Sequence, residues 1–244
     1  MKRMLLVIVG LLSFSLSAFS CLIPAYTANY KFTGKAEGVI TQTLNSENGY
    51  TFQSNIKAHK LFFKAHIEKL SQGKIVDSGF ETSFFHVKES MNNTEYKVSF
   101  DKSKNKMTLN QSNKKYYTDI PKGDEVIGEV ILPMQLRLML LKDNDLKQAK
   151  LNVAFHGNDT RMVIIPLVFN IANGDEIKTP LASYKTKILT TNYSLGKKKI
   201  ELKYWFADNK DKIFIQSEFF EAGSLKGKSE ITKYDAQNAC VVKK

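Results

Sequence analysis

Along most of this chain the apolar residues fall at every second position. "GYTFQSNIKA" sets Tyr50, Phe52, Ser54, Ile56 and Ala58 on one side and Thr51, Gln53, Asn55 and Lys57 on the other, as in a strand buried on one face. The same alternation runs through Tyr26, Ala28, Tyr30 and Phe32, through Phe80, Thr82 and Phe84, and through Tyr96, Val98 and Phe100. It returns in Met107 and Leu109, in Leu151, Val153 and Phe155, in Tyr184, Thr186 and Ile188, and around Ile231 and Tyr234. Polar clusters such as "NSENG", "SQGK", "DKSKNK" and "DNKDK" separate the runs and read as hairpin turns. Short strands at this spacing predict one large antiparallel sheet that meanders. Near the end, "IELKYWFADNKDKIFIQSEFF" points Ile200, Leu202, Tyr204 and Phe206 one way and Glu201, Lys203 and Trp205 the other.

One segment breaks the period. "LPMQLRLMLLKDN" gathers Leu136, Leu138, Met139, Leu140 and Leu141 among good helix formers, with Pro133 in the first turn and Asn144 as a stop. A helix of about 10 to 12 residues over 134–144 follows. It is apolar around much of its circumference, so it belongs against the sheet or inside its curve. The expected fold is therefore mainly β: a single curved antiparallel sheet, an open barrel or β-roll, packed on one internal helix. Pro166 within "MVIIPLVFN" cannot donate to a ladder and implies two short strands, an edge or a bulge. In "HKLFFKAHI" a continuous strand would put Phe62 and Phe63 on opposite faces, and likewise His59 and His66; otherwise the chain bends there.

The first residues change the picture of where this sheet folds. "MKRMLLVIVGLLSFSLSAFSC" has two cations, an apolar run, and Ala18 and Ser20 before Cys21. That is the form of a secretory signal peptide over 1–20, with a membrane anchor as the competing reading. Residues 21–244 then form one domain, with no linker and no repeat. The chain has two cysteines, Cys21 and Cys240. In an exported protein they point to a disulfide tying the two ends, with a lipidated Cys21 or two free thiols as the alternatives. Periplasmic localisation follows, or lipid anchoring at Cys21 in the second case.

The net charge is +12, to which Lys2 and Arg3 contribute two. Such a charge favours anionic partners, for an exported protein an anionic envelope surface and not nucleic acid. The lysines are nevertheless dispersed over turns, as at Lys114-Lys115 and Lys197-Lys198-Lys199, where they commonly protect strand edges. No catalytic motif stands out. The four histidines, His59, His66, His86 and His156, lack metal-ligand spacing, and no nucleophile elbow or phosphate loop is present. The paired acids in "GDE" and "NGDE" read as turn or helix-start residues. The expectation is a protein without enzymatic activity, metal or cofactor, its oligomeric state open.

Four stretches, taken in order, resemble an exported bacterial family known as domain of unknown function 3108 (DUF3108). They are "YTANYKFTGKAEGVITQTL", "LPMQLRLMLL", "KTPLASYKTKIL" and the closing hairpin with Trp205. Ala182 stands where the family favours Gly, and Phe214 near a common Pro. The resemblance implies a strongly curved, mostly antiparallel sheet in the bacterial envelope and brings no catalytic residues. Two functional readings follow. In one, the curve leaves an apolar cavity for a lipid or other hydrophobic envelope component, with Phe62, Phe63, Leu138, Met139 and Trp205 as candidate lining. In the other, the protein is an envelope interaction or scaffold module without a small ligand, and the same apolar residues are simply core.

Overall fold

Alternation this regular leaves the chain little choice but to pair with itself, and the computed structural model shows how far the pairing goes. The residues it describes are 21–46, 49–60, 63–157 and 161–243; the leader read at 1–20 lies outside them. In chain order the strands are β1 Cys21–Gly34, β2 Glu37–Asn45, β3 Tyr50–Lys60, β4 Phe63–Val76 and β5 Gly79–Glu89. Then come β6 Thr94–Asp101, β7 Lys106–Gln111, β8 Lys114–Asp119, β9 Val126–Gly128 and β10 Gln148–His156. β11 Met162–Lys178, β12 Ser183–Leu195, β13 Lys198–Ala207, β14 Phe214–Glu221 and β15 Ser224–Lys243 complete the set. A 3₁₀ turn, Glu129–Ile131, leads into the α-helix among the described residues, α1 Leu132–Lys142.

All fifteen strands join one sheet, ordered β8-β7-β6-β5-β4-β3-β2-β1-β15-β14-β13-β12-β11-β10-β9. The first and last strands therefore meet in the middle. β1 and β15 pair from Cys21↔Lys243 to Gly34↔Gly227, and Cys21 is bonded to Cys240, Cα atoms 5.6 Å apart. From that seam two meanders run outward, and the β8-to-β9 connection joins their far ends. β9 runs parallel to β10, so the sheet is mixed and not wholly antiparallel: the helix that joins the two carries the chain back to the end at which β9 began. β9 also lies against β5, where the Gly128 N–H donates to Thr82 Oγ1 at 3.0 Å. A Cβ on Gly128 would stand 2.6 Å from the Phe85 ring, so only glycine lets the two walls come this close.

α1 plugs the curve. It starts two residues before the expected 134, because the 3₁₀ turn already presents Pro133 in its first turn, and it stops at Lys142 with extended Asp143 as its C-cap. Leu132, Met134, Leu136, Leu138 and Leu140 are all buried, the helix being surrounded and not merely laid on a surface.

Bulges re-aim several side chains that strict alternation misplaces. A register shift at Gln72/Gly73 turns Phe85 inward, fully buried, and Phe84 outward. Another at Trp205/Phe206 brings Phe214 inside beside Phe206, ring centroids 5.5 Å apart. Tyr184, Thr186 and Ile188 take the outer face, with Lys187 and Leu189 inside. The strand through Pro166 is continuous but pairs only with β10 there; β12 joins β11 from Asn170 onward. Pro166 thus sits at a local edge.

Candidate functional site

The helix fills only one end of the curved sheet. The turns at 77–78, 179–182 and 208–212, both disulfide-linked ends and the helix C-terminus share that end. At the other end lie the turns at 35–36, 90–93, 112–113, 196–197 and 222–223, and there the inner wall changes character. Rows of cross-strand partners make this visible. Leu44, Phe52, Ser71, Phe85, Val98 and Leu109 are successive neighbours, each no more than 1% exposed. The next row towards the open end runs Gln42, Ser54, Lys69, Val87, Tyr96 and Gln111. Below it, Ile40, Ile56 and Ile67 face inward and are half-exposed. A packed core, a polar belt and an open apolar rim succeed one another along the inner face.

Across the curve the opposite wall repeats the change. Leu189, Tyr204, Ser217, Ser229 and Phe32 form one row, and Thr191, Leu202, Phe219 and Gly227 the next. Ile200 and Leu202 are buried but stand apart from the continuous core. Surface concavities reach the inner face at both rims, about 390 Å³ at Ala58 and Ala65 and about 380 Å³ at Tyr193 and Ile200.

Between the walls stands Glu129, in the 3₁₀ turn that packs on β3, β4, β5 and β10. At the head of a helical segment its charge is favourably placed. Tyr96 donates to Glu129 Oε1 at 3.0 Å, and no cation among the described residues lies within 4.0 Å of the carboxylate. The His156 ring stacks on Tyr96 at 4.4 Å, and its Nε2 lies 2.9 Å from Gln111 Oε1. Burial holds the His156 pKa below its ordinary value, with the charge of Glu129 opposing; the ring is neutral at pH 7 and Nε2–H donates to Gln111. Burial, assisted by Glu129, keeps the phenols of Tyr96, Tyr193 and Tyr204 protonated. Two buried oxygens in this region, Gln42 Oε1 and Thr191 Oγ1, have no partner among the described residues, an uncommon state for groups so dehydrated. The inner face of the open half thus carries two unpartnered oxygens, an acid met by one tyrosine hydroxyl, and Lys69 as the cation on the same belt.

The lining residues expected from the sequence are not brought together. Phe62 lies outside the described residues, as does the side chain of Phe63, whose backbone opens β4. Leu138 is 1% exposed within the filled core and Met139 packs against that core. Trp205 is on the outer face, opposite Ile188 and Gln216, with Gly174 leaving room for its ring. The pairing of β3 with β4 places His59 and His66 together on the outer face of that hairpin. The belt went unrecognised, although Ser54 already interrupted the apolar face of β3. Glu129 carries no signal in the sequence beyond preceding the leucine-rich helix; its place inside the sheet depends on the β8–β9 crossover.

The family described as Protein of unknown function (DUF3108) matches residues 25–229. Among solved structures, the chain is similar to a beta-barrel-like protein of domain of unknown function DUF1849 from Brucella abortus. The two are 11% identical, with a TM-score of 0.59 over 90% of this chain and 100% of that one, a likeness of fold. No curated protein matches the sequence.

Proposed function

This chain belongs to the DUF3108 family, and on that premise we propose that it is an exported binding protein, sheltering a lipid or other hydrophobic envelope component in the open half of its curved sheet. The observation that carries the reading is the inner wall itself. Ile40, Ile56 and Ile67 stay half-exposed on a face that is fully packed four residues further along each strand, at Leu44, Phe52 and Ser71. Apolar concavities with a few polar groups are the usual form of small-ligand sites. The Cys21–Cys240 bond points to an extracytoplasmic compartment, and a sulfur so engaged carries no lipid. Together with the leader at 1–20 it supports export to the periplasm, where acyl chains need shelter from water.

Native mass spectrometry of gently purified protein, followed by titration of the delipidated protein with a fluorescent fatty-acyl probe, tests this. The wild type should bind the probe. Ile56→Arg, a charge on the open rim, should weaken binding at least tenfold, about 1.4 kcal/mol, with the thermal midpoint little changed. Absence of probe binding, or equal binding by Ile56→Arg, would favour the other reading, an interaction module without a small ligand.

A further inference from the structure

Resting on the binding reading, we infer that the occupant is a zwitterionic amphiphile, its ammonium group on Glu129, its anionic group on Lys69 and its chain on the open rim. Two opposite charges stand on the same inner face without neutralising each other: Lys69 shares a cross-strand row with Tyr96, whose hydroxyl meets Glu129. Lys69 faces inward between Ser54 and Val87. The turn bearing Glu129 packs against the same strand, β4. Yet neither side chain has an ion-pair partner among the described residues. Partly buried charges are ordinarily paired or strongly hydrogen-bonded, and among the described residues one phenol is the side-chain donor that Glu129 receives.

The surroundings fit an ammonium better than a second cation of the protein. Tyr96 meets Glu129 through one hydroxyl on Oε1, which leaves further acceptor positions of the carboxylate for the N–H donors of an ammonium group. Gln42 Oε1 and Thr191 Oγ1, 8% and 3% exposed as residues, face the interior from opposite walls without partners among the described residues. Gln42 Oε1 is an acceptor and the Thr191 hydroxyl an acceptor or a donor, so either can meet an N–H or O–H of a head group. A purely anionic head would meet Lys69 and leave all these acceptors unmet; a purely cationic one would meet Glu129 and oppose Lys69. A head with both charges satisfies the belt as a whole, and its chain then lies against Ile40, Ile56 and Ile67.

Three single-chain probes of equal length, an alkyl phosphoethanolamine, an alkyl phosphate and an alkylamine, distinguish these cases by calorimetry on the delipidated, disulfide-bonded protein below micellar concentrations. The zwitterion should bind about tenfold tighter than either singly charged probe, the order of one charge-assisted contact. Glu129→Gln should abolish its advantage over the alkyl phosphate, and Lys69→Met its advantage over the alkylamine. Lys69 is partly solvent-exposed, so its arm stands even if Glu129→Gln impairs folding. Equal affinity of alkyl phosphate and zwitterion in the wild type, or equal loss of all three probes in both variants, overturns the inference while leaving the binding reading intact. Failure of every probe to bind overturns both.

Discussion

Arg137 is 1% exposed in the middle of a leucine-rich helix and has no carboxylate within ion-pair distance among the described residues. Its charge is met by other means. Nε and Nη2 donate to the Asp211 carbonyl at 3.1 and 2.9 Å, and Nη2 also to the Tyr234 hydroxyl at 3.3 Å. The guanidinium carbon lies 5.7 Å from the Tyr26 ring centre and 5.9 Å from that of Tyr234. A carbonyl dipole and two π faces take the place of a counter-ion, which suits a planar, weakly hydrated cation better than an ammonium. The contact fastens the β13–β14 turn and β15 to the helix. Arg137→Ala leaves the Asp211 carbonyl and the Tyr234 hydroxyl short of a donor and opens a cavity. It should cost about 3 kcal/mol, read as a lower denaturant midpoint at unchanged slope.

Among the elements, β11 and β12 part company where the sheet reaches its open end. They pair from Asn170↔Thr190 to Lys178↔Ser183, and the stretch from Met162 to Phe169 keeps β10 alone. Pro166 lies in that stretch, and Val168 is 42% exposed on it. Inside, Tyr193 bridges the parting by stacking on Phe155 of β10 at 5.1 Å. Backbone groups without a ladder partner exchange their hydrogens readily. Peptides covering 163–169 and 191–195 should therefore exchange faster than those covering 171–174 and 186–190 in hydrogen–deuterium exchange. Uniform protection across both halves of the two strands would contradict the parting.

For the whole molecule the decisive covalent feature is the bond between Cys21 and Cys240, closing a loop of sequence separation 219. It sits at the end of the seam where the first and last strands pair, so it holds together both meanders that fan out from there. Loop closure of this length restricts the unfolded chain by the equivalent of roughly 5 kcal/mol in the chain-entropy picture, an upper figure. Replacing both cysteines by serine should lower the unfolding free energy towards that limit. The loss should appear as a shift of the whole transition, because the seam lies at the centre of a single sheet. An early, separate unfolding step for one meander would instead mark the two as independent.

Period-two alternation fixed the strands, and an all-round apolar segment fixed the buried helix, because those are local properties of pleat and coil that each stretch of chain carries by itself. Two cysteines placed near the ends of the domain read at 21–244 likewise pointed to the cross-link. What alternation could not reveal was the bulges at Gln72/Gly73 and Trp205/Phe206, since a single extra residue re-aims the side chains around it without altering composition. Nor could it reveal the crossover that carries Glu129 inside, or the belt of Gln42, Ser54, Lys69 and Tyr96. Those four residues lie on different strands, and only the register of strand against strand sets them side by side. A site built from such rows belongs to the pairing, a long-range property, which is why the residues chosen from local pattern, Trp205 and Leu138, ended on opposite sides of the sheet.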